Sequence, residues 1–370
     1  MNKTVAIKKW VGHKLDAAID RRLQRLVVAN DVTEVCVMPD VHLAGDVCNG
    51  VVVATKQLIY PQCIGGDIGC GYLSVALGTR EICEHVAARV LAGLQRAVPI
   101  NKHSDRECPG FKTELSSPAL QKSSAREGRL QLGTLGRGNH FVELQRNHEG
   151  ELFLLIHSGS RAMGQLISAH HLKHAIVDRA SKLKYIDADT DAGMELLNDL
   201  DWARQYAAAN RLAMLDAIES EVLPAIGLRV DRETMIHLDH NHVQQETFAG
   251  ETFWIHRKGA QGLLRRQTSV IPGSMGTMTY VVEGRGSRDS LNSCSHGAGR
   301  TMSRTEAVTR ISAKALRREM SDVWFDHRKM ASLFDEAPSA YKNIRKVMKA
   351  QKELVRIVDQ RRPILNFKGR

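Results

Sequence analysis

Five side chains in this sequence have the chemistry of a divalent-metal site, and all lie in loops bearing glycine or asparagine. Asp67 and Cys70 stand three residues apart in GGDIGCG (65–71), a spacing that lets both turn towards one point. His140 follows a glycine loop in GTLGRGNHFVE (133–143), His157 ends the apolar run of LLIHSGSR, and His240 lies in LDHNHVQQE. One carboxylate, one thiolate and three imidazoles suit a borderline ion such as manganese, zinc or iron, because carboxylate is hard and thiolate soft. If the thiolate bridged, these residues would serve two close ions, a standard means of stabilising charge in phosphoryl transfer. Each of the five alone is more commonly an ordinary core or surface group; the weight lies in their shared setting. Spacing leaves open which histidine joins which ion.

Two glycine turns could cradle phosphate. SVIPGSMGTMTY places Gly273, Ser274 and Gly276 directly after an apolar run, and SCSHGAGRTMSR places His296, Gly297 and Gly299 ahead of a helical stretch. Such turns present consecutive backbone N–H groups, and a helix N-terminus adds positive potential. Neither matches the P-loop or the dinucleotide-binding pattern, and each by itself is more commonly a simple tight turn. WIHRKGA gathers His256, Arg257 and Lys258 beside an aromatic, where they could clamp phosphate oxygens or form a solvated edge.

The elements that must hold these loops follow from periodicity. Apolar spacing predicts helices over 15–29, 79–97, 164–183 and 192–226, with closing helices near 303–322 and 340–359. Strands are expected at 32–41 and 51–54, as a hairpin of 141–144 with 152–157 about a polar turn at 147–150, and again between 235 and 282. The polar stretch from 101 to 130 reads as an exposed insertion. Strand clusters with helices between and after them favour a mixed α+β fold, one domain over 1–370, rather than a doubly wound parallel sheet.

Composition narrows the class. The 370 residues are 43% hydrophobic and 25% charged, enough for a large core. No run of about 18 apolar residues suggests a membrane span, and MNKTVAIKKW lacks the pattern of a secretory signal. A net charge of +11 points towards a polyanionic partner. Seven cysteines, an odd number without a CxxC pair, fit a reduced cytoplasmic protein in which a special cysteine is a ligand or nucleophile.

Taken in order, the motif loops resemble the signature blocks of the RtcB family of RNA-splicing ligases. The matching blocks are MPDVH (38–42), GGDIGCG (65–71), GTLGRGNHFVE (133–143), HSGSR (157–161), HNHVQQE (240–246), HRKGA (256–260), IPGSMGT (271–277), SHGAGR (295–300) and FKG (367–369). They span nearly the whole chain. The resemblance implies an RtcB-like α+β fold and a GTP- and manganese-dependent ligase. Such an enzyme joins RNA 2′,3′-cyclic phosphate or 3′-phosphate ends to 5′-hydroxyl ends. It implies that His296 carries GMP as a phosphoramidate and that Cys70 bridges two manganese ions. Asp67 and His140 would complete one ion, His157 and His240 the other. Asn139, Glu143, Asn241, Pro272, Gly273, Ser274, Met275, Thr279, Gly297, Ala298, Gly299 and Lys368 match nucleotide contacts. The natural RNA, and whether an activating protein is needed, stay open.

Departures are visible. LAGDVCNG (43–50) replaces a Gly-Lys-Gly segment, removing a lysine and adding Asp46; Arg137 interrupts a small-residue loop, and Thr279 stands where serine is common. Two rival readings share the residues. A metal-dependent phosphodiesterase could use the same ligands, though hydrolysis needs no guanosine pocket, and a non-catalytic RNA-binding protein would fit the charge alone.

Overall fold

The computed structural model describes residues 5–12, 14–103 and 114–370. Among them, strands build a seven-stranded antiparallel sheet in the order 231–239, 71–79, 151–158, 141–146, 355–368, 279–284, 268–272. A five-stranded sheet runs 6–9, 32–42, 49–55, 251–258, 241–248, with only the first pair parallel. The chain is α+β, as its pattern indicates.

Alternation along the strands explains the packing. In the five-stranded sheet Val35, Val37, Val51 and Val53 face the helix Ala17–Val27 through Leu23 and Leu26. Their neighbours Cys36, Met38, Val52 and Ala54 point the other way, onto Ile271 and Val282 of the larger sheet. Burial on both faces is why these strands read as unbroken apolar runs. The larger sheet packs Leu73, Val75, Val142, Leu144, Leu154 and Ile156 against Val90 and Leu94 of Glu84–Ala97 and Met214 and Ile218 of Asp191–Glu221.

Register brings the motif loops to one edge. Asp239 pairs with Gly71 and Gly71 with Ser158; His157 pairs with Phe141, which pairs with Lys368. On the strand 355–368 Thr279 reaches Arg361 and not the Lys368 end, so the 272–279 turn stops short of that edge and leaves a step above it.

Four expectations need correction. The helix from Arg161 ends at His174, because Asp178 accepts bonds from the N–H of Asn30 and Ala180 and the Ser181 hydroxyl, closing a side-chain turn. The stretch then continues as short strands at Ile176–Val177 and Lys184–Asp187. Helix does not start at 79, which ends the strand Gly71–Thr79. The last predicted helix covers only Ile344–Ala350; β-branched Val355, Ile357 and Val358 open the long strand Val355–Lys368 instead. In the expected insertion, the described part is not simply exposed: Leu115, Leu120 and Gln131 are buried and 118–131 is helical, while 104–113, with Cys108, lies outside the described residues. Among the described residues no helix is long and apolar enough to cross a membrane.

Candidate active site

The two glycine loops around Asp67 and His157 interlock. Gly69 adopts φ +70°, turning Cys70 inward, and a Cβ on Gly159 would overlap the Asp67 carboxylate. Backbone bonds from Gly69 N–H to Asn241 C=O (2.8 Å) and from His240 N–H to Cys70 C=O (2.8 Å) tie in the third segment. The five side chains therefore converge. Cys70, His157 and His240 form one group and Asp67, Cys70 and His140 another, the candidate ligand atoms of each lying within 4.8 Å of one another. Cys70 belongs to both. Its Sγ stands 3.5 Å from His140 Nε2 and 3.3 Å from His157 Nε2.

Each imidazole is oriented from behind. His140 Nδ1–H donates to Leu135 C=O (2.9 Å), His157 Nδ1–H to Asn139 C=O (3.2 Å) and His240 Nδ1–H to Asn241 Oδ1 (3.3 Å). Nε2 of all three then points into the cluster: that of His140 meets Asp67 Oδ2 (2.9 Å), and the lone pairs of His157 and His240 face each other at 3.1 Å. Facing lone pairs repel unless a cation lies between or beside them, so the donor set fits divalent metal. Burial, then the neighbouring imidazoles, hold His157 well below the usual range; burial and His296 hold His240 down at about 3. Both are neutral ligands. Burial would raise Asp67, but the charge and hydrogen bond of His140 outweigh it and hold the carboxyl at about 2. Burial and the Asp67 charge push the Cys70 thiol up, an effect a bound cation would reverse.

His296 stands beside this cluster, its ring 4.7 Å from that of His240. Asp40, wholly buried, accepts at Oδ2 from His296 Nδ1–H (2.6 Å), His296 N–H (3.1 Å) and Gly297 N–H (3.2 Å). The imidazole is thus fixed as the Nδ1–H tautomer, with Nε2 free as a nucleophile. Asp40 lies in the MPDVH block, yet its role was invisible in the sequence because its partner is far along the chain.

A cleft of about 950 Å³ opens over His157 and His296. Asn139, Glu143, Pro272, Gly273, Ser274, Met275, Gly297, Ala298, Gly299 and Lys368 all line it. Asn241 and Thr279 do not. Asn241 braces the cluster, donating to Asp67 C=O (3.0 Å) and accepting from Gly259 N–H (2.8 Å). Thr279 lies behind Glu143, accepting from Gln145 Nε2 (2.8 Å), which also donates to Glu143 (2.8 Å). Asn366 Nδ2 donates to the other Glu143 oxygen (2.7 Å), and burial pushes this carboxyl up to about 7.

Glu336 is a second residue that sequence reasoning missed. It is fully buried and receives Lys368, Arg304 (2.7 Å), Arg300 (3.3 Å) and the Tyr341 hydroxyl (2.8 Å), aligning three cations along the cleft. No motif surrounds it, so no signal marked it. The His256–Arg257–Lys258 group is neither a phosphate clamp nor a solvated edge. His256 accepts from Tyr60 N–H (3.0 Å), Arg257 pairs with Glu246 (2.5 Å), and Lys258 donates to the carbonyls of Ala44 (3.2 Å) and Val47 (2.7 Å). That lysine shapes the altered 43–50 loop, whose Asp46 lies 3.6 Å from Arg25 and is not among the cleft-lining residues.

The family model described as tRNA-splicing ligase RtcB matches residues 23–117 and 106–369. The RNA-splicing ligase RtcB of Escherichia coli (strain K12) is 33% identical over 371 residues, covering 90% of each chain. The RNA-splicing ligase RtcB of Mycobacterium tuberculosis is 27% identical, covering 90% of this chain and 96% of its own. RNA-splicing ligase RtcB homolog 1 of Entamoeba histolytica is also 27% identical, covering 90% and 80%. The matched residues include all five candidate ligands and both glycine turns of the cleft, and similarity of this extent settles the lineage: the chain belongs to the RtcB family of tRNA-splicing ligases and is an RNA ligase.

Proposed function

We propose that this chain, acting as one catalytic domain over 1–370, uses GTP and two manganese ions to join RNA 2′,3′-cyclic phosphate or 3′-phosphate ends to 5′-hydroxyl ends. The observation that carries this is the Asp40–His296 pair, an imidazole held from Nδ1 and set directly against a two-group metal-ligand cluster in a large cleft. A hydrolase would have no need of such a nucleophile beside its ligands.

His296 Nε2 attacks the α-phosphorus of GTP; an N–P bond forms, the bond to the bridging oxygen breaks, and pyrophosphate leaves. Asp40 balances the positive charge that the imidazole gains. The RNA 3′-phosphate oxygen then takes GMP from His296, which returns to its neutral form. The 5′-hydroxyl oxygen attacks the activated 3′-phosphorus, loses its proton and displaces GMP. A cyclic phosphate is opened by water beforehand. Asp67, Cys70, His140, His157 and His240 would hold the ions, with Cys70 shared; bound manganese supplies charge to the phosphate under attack and acidity to a hydroxyl or water.

Cleft chemistry favours guanine. Guanine presents N1–H and N2–H donors beside an O6 acceptor, matching a carboxylate (Glu143) with an ammonium (Lys368) in its field. Adenine presents the opposite polarity on that edge. The turns at 272–275 and 296–299 offer backbone N–H groups to phosphate. The described cysteines carry no disulfide, which supports the reducing cytoplasm as its setting.

Incubation with α-phosphate-labelled GTP and manganese tests the proposal. Acid-labile label is expected on the protein, and His296→Ala should abolish it while manganese stays bound. RNA cleavage without labelling would instead establish the metal-dependent phosphodiesterase.

A further inference from the structure

Arg211 is an anomaly in charge. It is 2% exposed, yet among the described residues it forms no direct ion pair, and Asp239, Cys70 and Asp67 act on it only through their fields. An unpaired buried guanidinium is costly, and a methionine of similar volume would fill the space without that cost. Its donors go elsewhere. Nη1 donates to Gly69 C=O and to Ser158 C=O, both at 2.8 Å, and Nε donates to His237 Nε2 (2.8 Å) on the strand Asp231–Asp239. Those carbonyls belong to the residues adjoining Cys70 and His157.

The preceding residue completes the pattern. Asn210, wholly buried, accepts at Oδ1 from the N–H groups of Gly133 (2.7 Å) and Thr134 (3.1 Å). Its Nδ2 donates to Ser158 Oγ (3.0 Å), whose hydroxyl donates to Leu135 C=O (2.9 Å), the same oxygen that orients His140. Two consecutive residues of the helix Asp191–Glu221 therefore grip all three loops that bring Cys70, His140 and His157 together, without touching any candidate ligand atom.

We propose that Asn210 and Arg211 are positioning residues that hold the ligand loops in metal-ready geometry before any ion binds. This rests on the two-ion reading of the site. Fixing the peptides beside Cys70 and His157 removes backbone freedom that binding would otherwise have to freeze out, so the pair acts on metal affinity rather than on the chemical step.

The test uses the full, metal-stripped chain titrated with manganese, free ion being read by electron paramagnetic resonance. Cobalt titration, read by thiolate-to-cobalt absorption, reports on Cys70. Asn210→Ala and Arg211→Met should each weaken manganese binding by about tenfold or more. Arg211→Lys, whose ammonium can still meet the Gly69 and Ser158 carbonyls, should recover part of that loss. Ligation by the variants should approach the wild-type kcat once manganese is raised. A purely structural role would lower the melting temperature and leave isotherm and cobalt band unchanged, and that result overturns the proposal. Should the larger changes prevent folding, Arg211→Lys and Asn210→Asp decide in the same way: wild-type isotherms in both overturn it. Failure of the wild-type chain itself to bind manganese or give the cobalt band would defeat the metal reading, a distinct outcome from intact binding in every variant.

Discussion

Glu143 shows how a single buried group can set a pH response. Burial lifts its carboxyl to about 7, so it holds its proton below that point and is ionised above it. Guanine donors need the ionised form. Affinity for GMP, measured on metal-free protein to exclude metal effects, should therefore rise about tenfold from about pH 6 to about pH 8 and then level off. Glu143→Gln should flatten the profile; an equally steep curve in that variant would remove Glu143 from base recognition. The five candidate ligands were legible in the sequence because thiolate, carboxylate and imidazole rarely share glycine loops by accident. Asp40 and Glu336 were not, since each acts on residues remote in the chain, and a lone acid between ordinary neighbours carries no mark of its partner. Arg257 and Lys258 misled for the converse reason. Their charge suggested solvent or phosphate, whereas the fold supplies Glu246 and backbone carbonyls as partners.

Among the elements, the hairpin of 141–146 with 151–158 was readable because short apolar runs and turn residues agree there. The segment Val355–Lys368 was not, since a short helix precedes it and charged residues interrupt its alternation; only pairing on both edges makes it a strand. That strand carries Leu365 into the core at 0% exposure, beside Asn366 and ahead of Lys368. Leu365→Ala should cost about 2–5 kcal/mol in denaturant unfolding. Because Asn366 and Lys368 ride on the same backbone, GMP binding should weaken in parallel. Unchanged stability would mean that the strand contributes little to the sheet. Local side-chain competition explains the helix that stops at His174: Asp178 offers its own turn, which helical periodicity does not register.

At the scale of the whole molecule, the net charge of +11 gains meaning from the cations that line the cleft, Lys14, Arg300, Arg304, Lys342 and Lys368. If these neutralise roughly three phosphates of a single strand, RNA affinity should fall about twentyfold between about 50 and 200 mM salt. A flat salt response would place RNA elsewhere. The broad class and the convergence of loops were foreseeable from the order of strands and motifs, but sheet order was not, because strand neighbours are set by long-range packing. One such neighbour relation reaches into biosynthesis. The segment Val355–Lys368 lies between strands 141–146 and 279–284, both of which leave the ribosome before it. Until it arrives, the nascent chain holds two part-sheets whose raw borders invite mispairing. Translation arrested upstream of Val355 would yield an aggregation-prone fragment lacking Lys368, while the ligand loops had already been synthesised.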